Sequence, residues 1–392
     1  MRYIIFLLNF FFAAIAFAQD SPEQTNALKL ATDGKIPEAI TAFEAILAKD
    51  PNNFNAIDII SQLYKSTGNL PMQFKYVSKA LALKPNSEAW NYKKAELEIK
   101  LGHPDNAITL LDGYMAKNGE SAVIHFMKGQ ALDAQEKYQM AIGAYNKSLK
   151  INPEYAQPLY FRAIDFSYLN RYENAIEDFT KVIQAGSELD EIYQRRGFAF
   201  HMLGKYAEAI ADYGKAIQLN PDNLFAWTNR GVAYSKTGEM EKAAADFKHD
   251  IAIHPKNTDA YFEYASLLES QKKYTEALPN IEKAVSLTNS NAMFYAMHAK
   301  ILLSLDRNAE GLAAAEKILQ LQPNSPDGFI LKASALQNLD RDAEAITLLT
   351  TAIANDPSNY LFYSLRSAVY KKLGKTAEAN ADNEKAKQLG TK

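Results

Sequence analysis

Apolar residues recur along this chain with the spacing of an amphipathic helix, and one phrase returns many times. The stretch GKYAEAIADYGKAIQLNPDN, residues 204–223, places Ala209, Tyr213 and Ala216 three or four positions apart, on one face of a helix. Close variants begin at Gly34, Glu136 and Gly238. The pattern predicts a chain built almost entirely from repeated helices.

The repeat has a fixed length of 34 residues. Half of the prolines share one phase, with gaps of 34 or 68 residues: Pro51, Pro85, Pro153, Pro221, Pro255, Pro323 and Pro357. The skipped places hold Gly119, Ser187 and Asn289, which are residue types that favour turns. A repeat of constant length, without insertions, predicts that each copy forms the same small group of helices.

Two columns of small residues show where helices must pack closely. Twelve residues before the proline places stand Ala39, Ala107, Ala141, Ala175, Ala209, Ala243, Ala277, Ala345 and Ala379, with Gln73 and Gly311 as exceptions. Twelve residues earlier stand Ala95, Gly129, Ala163, Gly197, Gly231, Ala265, Ala299 and Ala333. Glycines such as Gly204 lie between the two columns, where glycine ends a helix. Each unit is therefore predicted to be helix, tight turn, helix, tight turn.

These columns resemble the tetratricopeptide repeat. The repeat from Asp190 to Asn223 carries the family pattern at Tyr193, Gly197, Phe200, Ala209, Tyr213, Ala216 and Pro221. Repeats 1 to 11 begin at Asp20, Phe54, Glu88, Ala122, Ala156, Asp190, Leu224, Thr258, Ala292, Pro326 and Tyr360. The resemblance implies an all-α fold, a right-handed superhelical solenoid of stacked helix-turn-helix units over residues 19–392. Polar residues such as Glu23 and Asn383 indicate that the first and last repeats act as caps.

The N-terminus is typical of an export signal. One basic residue, Arg2, precedes an apolar run to about Ala14, and Ala16-Phe17-Ala18 has the small residues of a cleavage site. We interpret residues 1–18 as a signal peptide cleaved after Ala18; the alternative is a membrane anchor, for which the run is short. A periplasmic or secreted, soluble protein without a further transmembrane segment follows. The chain has no cysteine, and hence no disulfide.

Composition argues against nucleic acid and against catalysis. A net charge of −3 gives no basic field for phosphates. The six histidines are scattered over different repeats, and neither a glycine-rich phosphate loop nor a nucleophile beside a base is present. We therefore predict no catalytic residue, no metal site, no cofactor and no enzymatic activity.

One charged column has a structural interpretation. Position 7 of the repeat is arginine in four repeats, and position 23 is aspartate in the same four. The predicted pairs are Arg162 with Asp178, Arg196 with Asp212, Arg230 with Asp246 and Arg366 with Asp382. Because the guanidinium fork matches a carboxylate, each pair is expected to join the two helices of one repeat rather than to bind a ligand.

The resemblance implies a concave groove lined by positions 2, 5, 6, 9 and 12 of the first helices. We predict that a protein or peptide partner binds there to Tyr92, Phe126, Tyr160, Gln194, Arg195, Phe198, Asn229 and Phe262. Rigid rings give large contact area at low entropic cost. The alternative is that several of these rings pack between repeats.

The family's clamp for a C-terminal carboxylate is missing here. Only Asn229 matches it, and Asp259 and Glu263 stand where that clamp has basic residues. With Glu269 they favour a basic ligand segment. Two functions remain open: a protein-interaction scaffold of the cell envelope, or a receptor for a non-protein envelope ligand such as a glycan or cell-wall peptide.

Overall fold

The computed structural model describes residues 21–390, and within them the regular secondary structure is entirely α-helical, in 22 helices. The predicted signal peptide and its cleavage site lie outside the described residues. The chain divides into two compact units, one ending at Ser187 and one beginning at Glu188. Each repeat contributes a first helix, the A helix, and a second helix, the B helix. The all-α repeat fold is confirmed.

Unit 1 is a stack of five helix pairs. Its helices are α1 (Pro22–Thr32), α2 (Ile36–Lys49), α3 (Phe54–Ser66), α4 (Leu70–Leu83), α5 (Glu88–Lys100), α6 (Pro104–Asn118), α7 (Ala122–Asp133), α8 (Tyr138–Ile151), α9 (Ala156–Tyr168) and α10 (Tyr172–Gln184). Odd-numbered helices are A helices and even-numbered helices are B helices.

Unit 2 contains six further pairs in the same order. Its helices are α11 (Asp190–Met202), α12 (Tyr206–Leu219), α13 (Ala226–Thr237), α14 (Met240–Ile253), α15 (Thr258–Ser270), α16 (Tyr274–Leu287), α17 (Ala292–Ser304), α18 (Asn308–Leu321), α19 (Pro326–Asn338), α20 (Asp342–Asn355), α21 (Tyr360–Lys372) and α22 (Thr376–Gly390). That the eleven repeats act as one continuous array stays a prediction.

Helix ends follow local chemistry. Six A helices begin after a Ser or Asn whose side chain accepts a hydrogen bond from the first turn: Ser21, Asn53, Asn257, Asn291, Ser325 and Asn359. At position 15, after each A helix, all eleven repeats take the left-handed conformation. Six do so with glycine, as predicted, and five with Glu136, Asn170, Lys272, Asp306 and Asp340. The turn is thus a property of the repeat geometry and overrides the residue type.

The small columns lie at the contacts between paired helices. Ala141, Ala175 and Ala209 are fully buried. In repeat 4 a Cβ added to Gly129 would lie only 2.2 Å from the ring of Tyr145. Glycine at position 8 therefore makes room for a large ring at position 24 of the same repeat.

The four predicted arginine–aspartate pairs are present. In each, Nε and Nη2 of the arginine donate to the two carboxylate oxygens of the aspartate, at 2.7 to 2.8 Å. Side chains of all four aspartates are buried. The structural interpretation of this column is confirmed.

Lysines in the same column pair differently, which the sequence comparison missed. Lys128 reaches back to Asp112 at 2.5 Å, and Lys332 reaches back to Glu316 at 2.9 Å. Each acid is at position 25 of the preceding repeat. Nη1 of Arg162 also donates to position 25, at Asn146. Lys128, Lys332 and Arg162 thus join neighbouring repeats from position 7, and the arginines join the two helices of their own repeat.

Unit 1 buries an acidic pair between α7 and α9. Asp165 is 1% exposed, and apart from the carboxyl group of Asp133 its carboxyl oxygens have no hydrogen-bond partner among the described residues. The hydroxyl of Tyr145 also has none there. Burial, the neighbouring charge of Asp133 and a hydrogen bond between the two carboxyl groups raise the pKa of Asp165 to about 8. Burial likewise raises the pKa of Asp133. A proton is therefore retained between the two carboxyl groups at neutral pH.

This pair predicts an unusual pH dependence. Since the pKa of Asp165 rises from 3.8 to about 8 on folding, the folded chain holds a proton that the unfolded chain has released between these pH values. Stability of unit 1 should fall as pH rises through that window, by about 2–4 kcal/mol. Asp165→Asn, whose amide donates to Asp133 at any pH, should flatten the profile in urea unfolding from pH 4 to 8. The exposed Glu154→Gln serves as control, and an unchanged slope in Asp165→Asn would refute the assignment.

Candidate functional site

Partner-binding residues were predicted on the A helices of both units, and each unit has its own arrangement. In unit 1, Phe126 on α7 is 3% exposed. Its ring packs against those of Tyr145, Tyr155 and Phe161, at centroid distances of 6.0, 5.4 and 5.6 Å. Neighbouring rings cover Phe126 and make it a core residue, which matches the alternative that some of these rings pack between repeats. That Phe126 contacts a partner stays a prediction.

The other two rings predicted in unit 1 are half-buried. Tyr92 on α5 lies against the Phe126 cluster, and burial raises its pKa to about 12. Tyr160 on α9 meets the rings of Phe161 and Phe179 edge-on, at 5.2 and 6.2 Å. This face of unit 1 presents the edges of packed rings rather than an open aromatic platform.

Unit 2 holds the remaining predicted residues. On α11, Gln194 is half-buried, Phe198 is 39% exposed, and Nε of Arg195 donates to Glu191 at 2.8 Å. Asn229 on α13 is half-buried. On α15, the half-buried ring of Phe262 stacks on Phe294 at 4.9 Å. All five are on A helices, and of the five side chains Phe198 is the most exposed.

The acidic residues expected to attract a basic segment are only partly available. Asp259 is exposed, and Glu263 is half-buried. Burial and the charge of Asp259 raise the pKa of Glu263. Glu269 already pairs with Lys300 at 2.8 Å. Asp259 and Glu263 are thus the candidates for a basic ligand group, and Glu269 serves the fold.

A row that the sequence reasoning missed runs along unit 2 at position 2 of successive repeats. Five of its members lie in A helices, and Phe225 directly precedes α13. Acidic and large apolar residues alternate there without exception, in the order Glu191, Phe225, Asp259, Met293, Asp327 and Leu361. All six are exposed. We call these six residues the position-2 row. Comparison of the repeats column by column would have revealed it.

The two residue types of the row have different explanations. An acid at the second residue of a helix is stabilised by the helix macrodipole. No such effect explains Phe225, Met293 and Leu361, which are 56%, 57% and 39% exposed. Exposed apolar residues in register on one surface are typical of a binding site.

A buried polar network on α13, α14 and α15 superficially resembles catalytic machinery. Asp250 is fully buried and lies 2.6 Å from Nδ1 of His254. The hydroxyl of Thr228 and the amide of Asn257 also donate to Asp250. Because Thr228 contacts the carboxylate and not the imidazole, no nucleophile faces a base here. The network ties neighbouring repeats together.

Metal chemistry finds no support in the part of the chain that the structure describes. Between residues 21 and 390 no three histidine or acidic side chains come together in a way that could hold a metal ion. Over the same residues, no helix is both long and apolar enough to cross a lipid bilayer.

Paired helices that recur every 34 residues, with small residues at their contacts, define a helical repeat protein. Family models of the tetratricopeptide repeat match residues 122–155, 226–257, 258–291 and 296–360, and a model described as TPR repeat matches residues 199–238. The chain is a tetratricopeptide-repeat protein. Two matches coincide with repeats 4 and 8, which confirms the repeat frame. Proteins of this family bind protein or peptide partners.

Solved structures give partial superpositions. MamA is 26% identical over 41% of this chain and 94% of its own, with a TM-score of 0.39. Yeast Tom70 is 17% identical over 94% and 91%, with a TM-score of 0.44. A tetratricopeptide repeat protein from Parabacteroides merdae is 21% identical over 63% and 99%, with a TM-score of 0.49. None of these overlaps is close enough to carry an argument on function. No curated protein is significantly similar in sequence.

Proposed function

We propose that this protein is a non-enzymatic scaffold of the cell envelope, exported to the periplasm or secreted, which binds a segment of a partner protein on the A-helix face of unit 2. One observation carries the proposal: the exposed alternation of apolar and acidic residues in the position-2 row. Burial of the three apolar members against a partner would supply binding energy. Asp259 and Asp327, and Glu191 in exchange for its pair with Arg195, would select a partner of opposite charge.

The row fits an extended segment with apolar and basic side chains. Equivalent positions on the A helices of successive repeats are about 10 Å apart when the helices pack at the usual interaxial distance. An extended chain advances about 3.3 Å per residue. Apolar and basic side chains alternating every third residue would therefore match the row. Phe198 lies on α11 with Glu191 and offers a further apolar contact. Glu263 lies on α15 with Asp259 and offers a further acidic one.

The alternative, a receptor for a glycan, gains nothing from the unit 1 rings. Stacking of a sugar needs an open aromatic face, and Phe126 is covered while Tyr92 and Tyr160 are packed against neighbours. The exposed members of the position-2 row include a single aromatic residue, Phe225. Apolar and charged groups in alternation suit a polypeptide better than a carbohydrate.

Replacement of Phe225, Met293 and Leu361 by serine should reduce partner recovery at least tenfold, since a tenfold loss corresponds to about 1.4 kcal/mol. The measurement is cross-linking capture from envelope extract with quantitative mass spectrometry. A matched control replaces Ile253, Leu321 and Leu373, which are comparably exposed apolar residues of unit 2 outside the row. Equal loss in both triple variants would count against a specific surface.

Two further measurements separate the parts of the proposal. Neutral variants of the three acids should weaken capture and reduce its dependence on salt. These variants are Glu191→Gln, Asp259→Asn and Asp327→Asn.

Cell fractionation with N-terminal sequencing tests export, for which the expected first residue is Gln19. A cytoplasmic chain that retains residues 1–18 would refute the location without affecting the binding surface.

A further inference from the structure

A partly open cavity of about 590 Å³ lies in unit 1 between α6, α7 and α8. None of the eight predicted partner-binding residues lines it. His125 and Leu132 of α7 face it together with Met140, Gly143 and Lys147 of α8. It is therefore independent of the position-2 row and of the predicted groove.

The cavity exists because repeat 4 lacks a pair that other repeats have. In arginine repeats, Asp at position 23 pairs with Arg at position 7 of the same repeat. Repeat 4 has Ala144 at position 23, and its Lys128 turns away to Asp112 of the preceding repeat. Position 22 is Gly143, where a Cβ would meet nothing within 4 Å. Small side chains and a diverted lysine leave the space open.

His125 faces this space without a partner. It is 3% exposed, and neither ring nitrogen has a hydrogen-bond partner among the described residues. Position 4 side chains elsewhere donate to the carbonyl six residues earlier: Asn91 to Pro85, Trp227 to Pro221 and Tyr363 to Pro357. The residue six positions before His125 is Gly119 instead of proline. Its φ of 88° gives the backbone there a different conformation from that of a proline.

The imidazole is thus a buried group whose hydrogen-bond donor and acceptor are both unused. Burial lowers the pKa of His125 despite nearby Glu120, so the ring is neutral at pH 7 and offers one donor and one acceptor. A buried polar group without a hydrogen-bond partner destabilises the fold. A ligand or water that bonds to the ring would remove that penalty.

The lining also carries charged groups of both signs. Lys128 and Asp112 neutralise each other at 2.5 Å. Lys147 is exposed and makes no ion pair or hydrogen bond among residues 21–390. Oε2 of Glu120 lies 3.5 Å from Nε2 of His125. Leu132 and Met140 add apolar side chains to the same lining.

We propose that this cavity binds a zwitterionic molecule with apolar side chains, of the class of a short apolar peptide. Its carboxylate pairs with Lys147, its amino group pairs with Glu120, and its apolar side chains cover Leu132 and Met140. Its amide groups supply the missing partners of His125. A volume of about 590 Å³ falls within the range of small-molecule sites, about 300–1,000 Å³.

Titration of the full chain with leucyl-leucine tests the proposal, by calorimetry and by NMR of the imidazole resonances. We expect a Kd at or below about 1 mM, with the shifts confined to His125. 4-Methylpentanoate lacks the amino group and 3-methylbutylamine lacks the carboxylate, so each should bind at least tenfold more weakly. No binding of the dipeptide, or equal binding of either analogue, would overturn the zwitterion assignment.

Two glycines provide a matched pair of variants. Gly143→Leu places a side chain into the cavity from an exposed helical position, and should reduce dipeptide binding at least tenfold while the helix is kept or strengthened. Gly113→Leu, on α6, is also exposed and helical with open space around its Cβ, but does not line the cavity. Lys147→Gln gives a second, surface variant with a several-fold loss expected. Wild-type affinity in both Gly143→Leu and Lys147→Gln would show that the dipeptide binds elsewhere.

Discussion

Replacing Asp246 by alanine should destabilise repeat 7 by about 3–5 kcal/mol. The guanidinium of Arg230 is held by two hydrogen bonds of 2.8 Å to Asp246, and the two side chains are 18% and 8% exposed. Removal of the acid leaves a cation buried without its partner, and the full desolvation penalty of that charge remains. Hydrogen–deuterium exchange of α13 and α14 measures the effect within the repeat.

Two controls distinguish this mechanism from a general effect of charge removal. Glu316→Ala breaks the more exposed pair with Lys332 and should change stability by no more than about 1 kcal/mol. The double variant Arg230→Met with Asp246→Leu replaces the pair by apolar groups and should recover most of the loss. A double variant no more stable than Asp246→Ala would mean that packing, and not the unpaired charge, causes the loss.

Gly129→Ala should destabilise unit 1 by about 2–3 kcal/mol, although alanine is the better helix former. Its Cβ would overlap the ring of Tyr145, which is fully buried and cannot move aside. Overpacking of this kind outweighs the gain of about 1 kcal/mol in helix propensity. Urea unfolding followed by circular dichroism gives the change, and Gly143→Ala, a helical glycine with open surroundings, is the control that should gain stability.

The repeats themselves supply a rescue for Gly129→Ala. In repeat 3, Ala95 at position 8 is accompanied by Leu111 at position 24, and both are fully buried. Adding Tyr145→Leu to Gly129→Ala recreates that combination and should restore most of the lost stability. Additive losses in the double variant would show that the ring is not what opposes the new methyl group.

Much of the fold could be predicted because the sequence contains several copies of one unit. Eleven copies at constant spacing fix the helix pairs and their turns, since the same columns stay small, apolar or left-handed throughout. Arginine at position 7 and aspartate at position 23 occur in the same four repeats, and this alone predicted the ion pairs of Asp178, Asp212, Asp246 and Asp382. The pairing of lysine with position 25 of the preceding repeat occurs at Lys128 and Lys332 with two different acids, Asp112 and Glu316, and leaves no such signature.

The candidate site was less predictable, because exposure depends on what neighbouring repeats contribute. Position 5 is covered at Phe126, since Tyr155 and Phe161 are large. The same place in repeat 8 leaves Phe262 half-buried. The cavity at His125 arises from three coincident local changes, Gly119, Gly143 and Ala144, none of which is informative alone. The alternation of acidic and apolar residues at position 2 is visible in the sequence when the repeats are compared column by column.

The direction of the position 7 contacts has a consequence for how far the repeats are interchangeable. A repeat with arginine carries its own counter-ion and could be transplanted into another array with that bond intact. Repeats 4 and 10 take the counter-ion of their position 7 lysine from the repeat before them, so Lys128 or Lys332 would arrive in a new context without an acid to meet. Recombination of such modules would therefore favour cuts that keep each lysine repeat with its N-terminal neighbour.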